Sequence, residues 1–402
     1  MNVLVVNAGS SSVKYQVVNT DTKEVLAKGL CERIGIDGRI EHKMPGRDTY
    51  TVEKELKTHT DAIRFLMDVL TDPVHGCLRS MKEIAAVGHR VVHGGPYFGN
   101  SVLVTDEVIE KLELCHDLAP LHTRPALMGI RGCTEAMPDV PQVLVFDTAF
   151  HQTMPPEAYT YPISGEVAKK YNIRRYGFHG TSHRYVSGEM IRLLGRPAEK
   201  TRIVTCHLGN GSSIAAVKGG KVMDTTMGFT PLDGIPMGTR SGSIDPAIVT
   251  FLMDKEGWST AEVNAYLNKS CGLLGISGIS PDCRDILATA QKGNKEAALA
   301  LDVLSYQIKK YIGAYAAAMG GLDAIVFTAG VGENQAIVRE KSTSGLEFLG
   351  IDFDTEANNA VRRPVGVTCL SRPASRVKIY LIPTNEELVI AMDTAEIASH
   401  IG

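Results

Sequence analysis

The sequence predicts an α/β fold made of two related halves around a central cleft, and three observations carry that prediction. An apolar run, a Gly/Ser-rich turn and a second apolar run occur twice, over 3–15 and over 203–217. Sliding one stretch onto the other sets Ser11, Ser12 and Val13 over Ser212, Ser213 and Ile214, the pattern expected of a duplicated unit that offers one hairpin from each half to a ligand. Short runs of Val, Ile, Leu and Phe at 84–87, 143–146, 324–327 and 377–382 read as buried strands, with helical patterns between them. Finally, 402 residues at 44% apolar content exceed one ordinary core and suffice for two.

Taken in order, the first hairpin is followed by a strand at 25–29 and a polar, charged excursion over 37–53. A helix capped by Thr60 carries Ile63, Leu66, Met67 and Leu70 on one face. The strand at 84–87 runs into His89, Arg90, Val91, Val92, His93, Gly94 and Gly95, and polar residues at the carboxyl end of such a strand are where α/β sheets bind ligands. A helix over 106–115 is capped by Thr105, and Pro125 is placed to open another. The strand at 143–146 ends in Asp147, and Pro155, Pro156 and Pro162 break the pattern beyond it, which places a domain boundary near residue 151.

In the second half, Phe178, His179 and Gly180 precede a helix beginning at Thr181 or Ser182, so His179 lies at an N-terminus that attracts anions. Ser259 and Glu262 form a capping box, 273–279 reads as a Gly-rich turn, and a long helix covers 295–319 with Leu299, Val303, Ile308 and Ile312 on its buried side. A third glycine loop, 330–334, follows the apolar run at 324–327. Thr384 and Glu387 form a capping box for the last helix, leaving Glu386 to face the cleft, and that helix is expected to return to the first domain. The domains are therefore 1–151, completed by the helix 385–402, and 152–384.

Composition and motifs narrow the function. A net charge of −3 offers no general attraction to nucleic acid or acidic membranes, so a small anionic ligand needs local cations. Eight cysteines without a CxxC pair fit free thiols in a reducing cytoplasm. The chain enters a strand directly after Met1, and Asp323 interrupts the apolar stretch 311–327, so neither an export signal nor a membrane span is expected.

No glycine loop has Walker A spacing, and Gln335 stands where a dinucleotide fingerprint needs its third glycine. No HExxH pair supports a catalytic zinc site. Arg90 and Arg240 sit in Gly-rich polar contexts where a guanidinium fork binds carboxylate or phosphate, although a lone arginine more commonly makes a surface ion pair. His89, His93, His122, His151 and His183 read as satisfied hydrogen-bonding residues. Asp147 has three readings: a base, a magnesium-shell ligand, or an acid that orients an arginine.

The longer motifs resemble one family. NAGSSSVKYQ at 7–16, RRYGFHGTSHRYV at 174–186, HLGNGSSIAAV at 207–217, MGFTPLDGIPMGTRSGSIDP at 227–246, FTAGVGEN at 327–334 and IPTNEEL at 382–388 are similar to the acetate kinases over essentially the full length. The resemblance implies a duplicated ribonuclease-H-like, actin-like ATPase fold and a cytoplasmic homodimer. It also implies reversible phosphoryl transfer between ATP and acetate, giving acetyl phosphate and ADP, within acetyl-CoA biosynthesis. Magnesium is the implied metal, with manganese as the alternative.

By motif position the resemblance makes Arg90 the carboxylate clamp, Val92, Leu121, Phe178 and Pro231 the methyl pocket, His179 and Arg240 the groups on the phosphoryl in flight, and Asp147 the catalytic acid. It gives the nucleotide to Ser10, Ser12, Lys14, His207, Leu208, Gly209, Asn210, Gly211, Asp282, Cys283, Arg284, Gly330, Val331, Gly332, Glu333 and Asn334, and the metal to Asn7 and Glu386. Thr123 and Arg124 depart from the family pattern after Leu121 and His122. A propionate or butyrate kinase would share nearly every loop, and a non-catalytic actin-like nucleotide switch would share the fold without needing a second anion clamp.

Overall fold

The computed structural model describes residues 1–361, 364 and 366–401. The chain divides into two compact units, Met1–Phe150 with Asn385–Gly402, and His151–Thr384. In the first, an eight-stranded sheet has the order β5-β4-β3-β2-β1-β6-β8-β7, with β1 Asn2–Ala8, β2 Ser12–Asn19, β3 Glu24–Glu32, β4 Arg39–Lys43, β5 Tyr50–Glu53, β6 Ile84–Val91, β7 Val102–Leu103 and β8 Gln142–Phe146. Alternation along β1 divides its side chains between two cores. Leu4 and Val6 pack with Ile63, Leu66 and Cys133 beneath the helices His59–Leu70 and Pro120–Ala136. Val3 and Val5 pack with Val143, Val145, Ile390 and Ala391 beneath the C-terminal helix Glu386–Ala398.

The second unit holds a six-stranded sheet, β11-β10-β9-β12-β14-β13, from β9 Arg202–Leu208, β10 Ser212–Lys218, β11 Lys221–Thr225, β12 Ala324–Thr328, β13 Thr368–Cys369 and β14 Lys378–Leu381. Its centre repeats the first sheet. Each opening strand pairs antiparallel with the next and parallel with a strand from much later in sequence, β1 with β2 and β6, β9 with β10 and β12. The helix Lys295–Met319 backs this sheet, and its stripe Leu301, Leu304, Ile308 and Ile312 enters one core with Val204, Ile325 and Ile379.

Several boundaries differ from the sequence reading for identifiable reasons. The helix His59–Leu70 is capped by Thr58, not Thr60, because Thr58 and Asp61 exchange reciprocal side-chain and backbone hydrogen bonds. Pro120 rather than Pro125 opens the next helix, and Pro125 lies inside it. The polar stretch 37–53 contains β4 and β5, whose charges suit strands near a sheet edge. The Gly-rich stretch 273–279 coils into the helix Gly272–Ser277, and the glycine loop 330–334 lies within the short helix Ala329–Asn334. Leu299 falls off the buried stripe and is exposed.

The last helix is capped by Asn385, whose side chain accepts from Leu388 N–H, and it ends at Ala398 rather than running to 402. Gly402 lies outside the described residues. All eight cysteines are free thiols. Among the described residues no helix is long and apolar enough to cross a membrane.

Candidate active site

Parallel pairing of β6 with β8 sets Arg90 beside Val145 and Val91 beside Phe146, so Arg90 and Asp147 emerge at the carboxyl ends of adjacent strands. Asp147, 1% exposed, takes a two-point fork from Arg90: Nε donates to Oδ1 at 3.0 Å and Nη2 to Oδ2 at 2.7 Å. The guanidinium's Nη1 edge makes no bond to a described residue. Attraction to Asp147 raises the Arg90 pKa, fixing its charge. Burial raises that of Asp147, Arg90 pulls against it, and the charge of Glu386, first residue of the C-terminal helix, adds to the rise.

The same unit holds the other N-terminal candidates. Asn7 lies near the end of β1, half-buried, opposite exposed Lys14 on β2, and its amide has no hydrogen bond to a described side chain. Ser10 is exposed in the turn, and Ser12 begins β2. Val92 is half-buried just beyond β6. Leu121, expected in the methyl pocket, lies in the first turn of the helix Pro120–Ala136 and is 80% exposed, so among the described residues no apolar enclosure surrounds it.

In the second unit β9 delivers His207 and Leu208 into the turn Gly209–Gly211 before β10. A Cβ added at Gly211 would lie 3.4 Å from Arg240 Nη1 and 3.7 Å from His179 Nε2, so the backbone, guanidinium and imidazole converge there. Arg240 is half-buried, and its Nη1 donates to the Pro231 carbonyl at 3.1 Å. Among the described residues no carboxylate pairs with it, and burial lowers its pKa without any compensating acid. Such a cation attracts an anion more strongly than one already neutralised.

His179 caps the helix Gly180–Leu194 in the left-handed region, φ +58°, a conformation costly for a residue with a side chain. Its ring stacks on His207 with centroids 4.1 Å apart, and its Nδ1 is 2.9 Å from Ser213 Oγ. Phe178 is buried, and its carbonyl lies 2.8 Å from His151 Nε2.

Gly209, Asn210, Asp282, Cys283, Arg284, Gly330, Val331 and Asn334 line one cavity of about 610 Å³, within the range of small-molecule pockets. Gly332 and Glu333 belong to the same short helix, whose first residue, Ala329, has φ +65°. Beneath that helix lies Arg339, 1% exposed, donating to the carbonyls of Gly332 at 2.8 Å and Glu333 at 3.0 Å and to Asn358 Oδ1 at 2.7 Å. Sequence reasoning missed Arg339, because nothing in the pattern marks an arginine that serves carbonyls rather than acids. It also missed Ser213 as a partner of His179, although the overlay of the two hairpins had singled that serine out.

Asn7 and Glu386, the two residues expected at the metal, offer oxygen donors in one unit, the chemistry a hard divalent cation takes. Among the described residues no group of three or more His, Cys, Asp or Glu side chains makes a preformed cage. That donor set fits magnesium, which keeps waters and binds through one or two carboxylates together with substrate phosphates.

The chain resembles known proteins over its full length. The model of the acetokinase family matches residues 2–392. An acetate kinase from Caldanaerobacter subterraneus subsp. tengcongensis is 58% identical, with 100% of both chains covered. One from Thermoanaerobacter pseudethanolicus is 57% identical, with 99% of each covered. Among solved structures, Porphyromonas gingivalis acetate kinase has a TM-score of 0.95 at 48% identity, covering 98% of this chain and 99% of that one. A propionate kinase from Francisella tularensis subsp. tularensis SCHU S4 has a TM-score of 0.90 at 42% identity, with the same coverage.

Proposed function

The chain belongs to the acetokinase family, and from that premise we propose that it transfers the γ-phosphoryl group of ATP directly and in line to acetate, reversibly. Acetate is ionised at neutral pH, with a pKa near that of Asp or Glu, so its oxygen attacks without a strong base. The work left to the protein is positioning and neutralising two anions that repel one another. Arg90 takes the acetate carboxylate on its Nη1 edge, and Asp147 holds the guanidinium in the required plane; a carboxylate nucleophile has no proton for Asp147 to remove. Arg240 and His179 receive the negative charge that spreads over the equatorial phosphoryl oxygens. The cavity beside Asp282–Arg284 and Gly330–Asn334 takes the nucleotide, with Lys14 as a further cation. Asn7 and Glu386 would hold magnesium, which supplies charge neutralisation at the phosphates when bound.

The observation that carries this reading is Arg240, a half-buried guanidinium with no carboxylate partner beside a glycine turn. An ion-pair arginine or a nucleotide switch requires no such group. Incubation with ATP, acetate and magnesium in the presence of hydroxylamine tests it: acetyl hydroxamate accumulates if acetyl phosphate forms, and ATP-dependent cycling without hydroxamate contradicts the proposal. The similarity to a propionate kinase supports one second reading. One methylene is worth only about 1–3 kcal/mol of discrimination, so propionate is expected to be a poorer but real substrate. A kcat/KM for propionate above that for acetate would reverse the assignment.

A further inference from the structure

Behind His179 lies a second buried histidine that the phosphoryl-transfer reading leaves unused. His183 follows His179 by one helical turn, and its ring is held at both ends: Nδ1 lies 2.7 Å from Thr205 Oγ1, and Nε2 lies 2.8 Å from Ser213 Oγ. The same Ser213 oxygen is 2.9 Å from His179 Nδ1. These contacts form one chain, Thr205, His183, Ser213, His179, whose first three members are fully buried and closed to competing water, with half-buried His179 at its end.

A serine hydroxyl has one proton. Placed between two imidazole nitrogens it donates to one and accepts from the other, so the protonation of one ring dictates that of the other. The far end of the chain selects the direction. Thr205 Oγ1 lies 2.7 Å from the His183 nitrogen and 3.5 Å from the Ala215 carbonyl; the carbonyl is beyond the ordinary O–H···O range, so the buried hydroxyl proton has its one good acceptor in that nitrogen. Neutral His183 then carries its proton on Nε2 and donates to Ser213, and Ser213 donates to His179 Nδ1. Burial keeps His183 neutral, lowering its pKa well below the ordinary histidine value, with the neighbouring His151 and His207 adding to the effect.

We infer that His183 is a positioning residue which, through Ser213, holds His179 as the tautomer protonated on Nε2, the nitrogen that converges with Arg240 on Gly211. In that form His179 presents an N–H donor where the proposed reaction places the phosphoryl oxygens; the other tautomer would present a lone pair to an anion. The inference rests on the proposed phosphoryl transfer for its purpose, though not for its geometry.

The test combines a double-mutant cycle with histidine nitrogen NMR. Ser213→Ala cuts the chain with little change of volume and is expected to lower kcat about tenfold, the worth of one hydrogen bond, with both KM values within about twofold. His183→Asn keeps a polar group toward Thr205 and loses the one facing Ser213, so it is expected to match that loss and to add nothing in the Ser213→Ala background. His183→Gln, which restores a donor toward Ser213, is expected to recover most of kcat.

Additive losses, or equal losses for Asn and Gln, overturn the inference. Should the His183 variants fail to fold, ¹⁵N-histidine spectra of wild type and Ser213→Ala decide it. His179 is expected as the Nε2–H form in wild type and as a tautomer mixture in the variant, and an unchanged His179 signal overturns the relay. Because those spectra need no turnover, a wild type that fails to phosphorylate acetate overturns the proposed function separately.

Discussion

Arg90 lies near the carboxyl end of β6 and Arg240 in a Gly-rich loop, and their surroundings differ. Arg90 is locked by a buried carboxylate that fixes its charge; in the proposed reaction its part is to bind the acceptor. Among the described residues Arg240 has no such counter-charge, and in the proposed reaction it meets charge that grows in the transition state. Arg90→Ala is therefore expected chiefly to raise the acetate KM, and Arg240→Ala chiefly to lower kcat by two to three decades, about 3–4 kcal/mol. Steady-state kinetics with each substrate varied separates the two, and near-normal turnover by Arg240→Ala would remove it from the mechanism.

A different residue-scale consequence concerns stability. His89 and His151 are buried, and burial lowers each pKa from 6.5 to about 4. Between those values the unfolded chain binds protons that the folded chain does not, so stability rises with pH across that window and is lost as pH falls through it. Each site withdraws up to about 3 kcal/mol by pH 4. Denaturant titrations from pH 7 to pH 4.5 are expected to show this decline, with a slope reduced by about one proton in His89→Gln; stability independent of pH there would refute it.

At the scale of elements, one glycine sets how closely the C-terminal helix approaches the first sheet. A Cβ at Gly88, in the middle of β6, would lie 2.3 Å from Thr394 Oγ1 and 2.8 Å from Ile390 Cγ2, both on buried residues of Glu386–Ala398. Thr394 cannot swing aside cheaply, since its hydroxyl donates to the Ile390 carbonyl at 2.7 Å. Gly88→Ala is expected to cost about 1–3 kcal/mol, read as a lower denaturation midpoint, with part of the loss recovered by Thr394→Ala; full stability in the single variant would show that the helix is free to move.

Elements of this kind mark what was legible. β1, β2, β9 and β10 stand out because apolar runs flank Gly/Ser turns, and Lys295–Met319 because its stripe is long. β4 and β5 were hidden: RIEHK and YTVE carry little apolar signal, and their pairing to β3 and to each other comes from the sheet rather than from propensity. At the site, Arg90 and Asp147 were visible as polar ends of apolar strands. The Ser213 and Arg339 contacts were not, because each joins residues through space: Ser213 meets a helix, and Arg339 meets the backbone of the preceding short helix.

At the scale of the whole molecule, the first unit is completed by the last residues of the chain. The core of the second is assembled from residues between Val204 and Leu381. The first is left with Val3, Val5, Val143 and Val145 uncovered until Ile390 and Ala391 arrive at the end of the chain. A chain truncated after Thr384 therefore exposes an apolar sheet face. At about 25 cal/mol per Å² of apolar surface, leaving even a few such side chains open consumes several kcal/mol of a stability that ordinarily totals about 5–15. The truncated chain is expected to lose the first unit's order, seen as rapid hydrogen exchange in β1, β6 and β8, while the second unit persists. The single tryptophan reports on that difference, because Trp258 packs against Tyr266 at 4.9 Å within the second unit. Its emission should remain native in the truncated chain; simultaneous loss of the Trp258 signal and of protection in β1 would instead show that the two units fold as one.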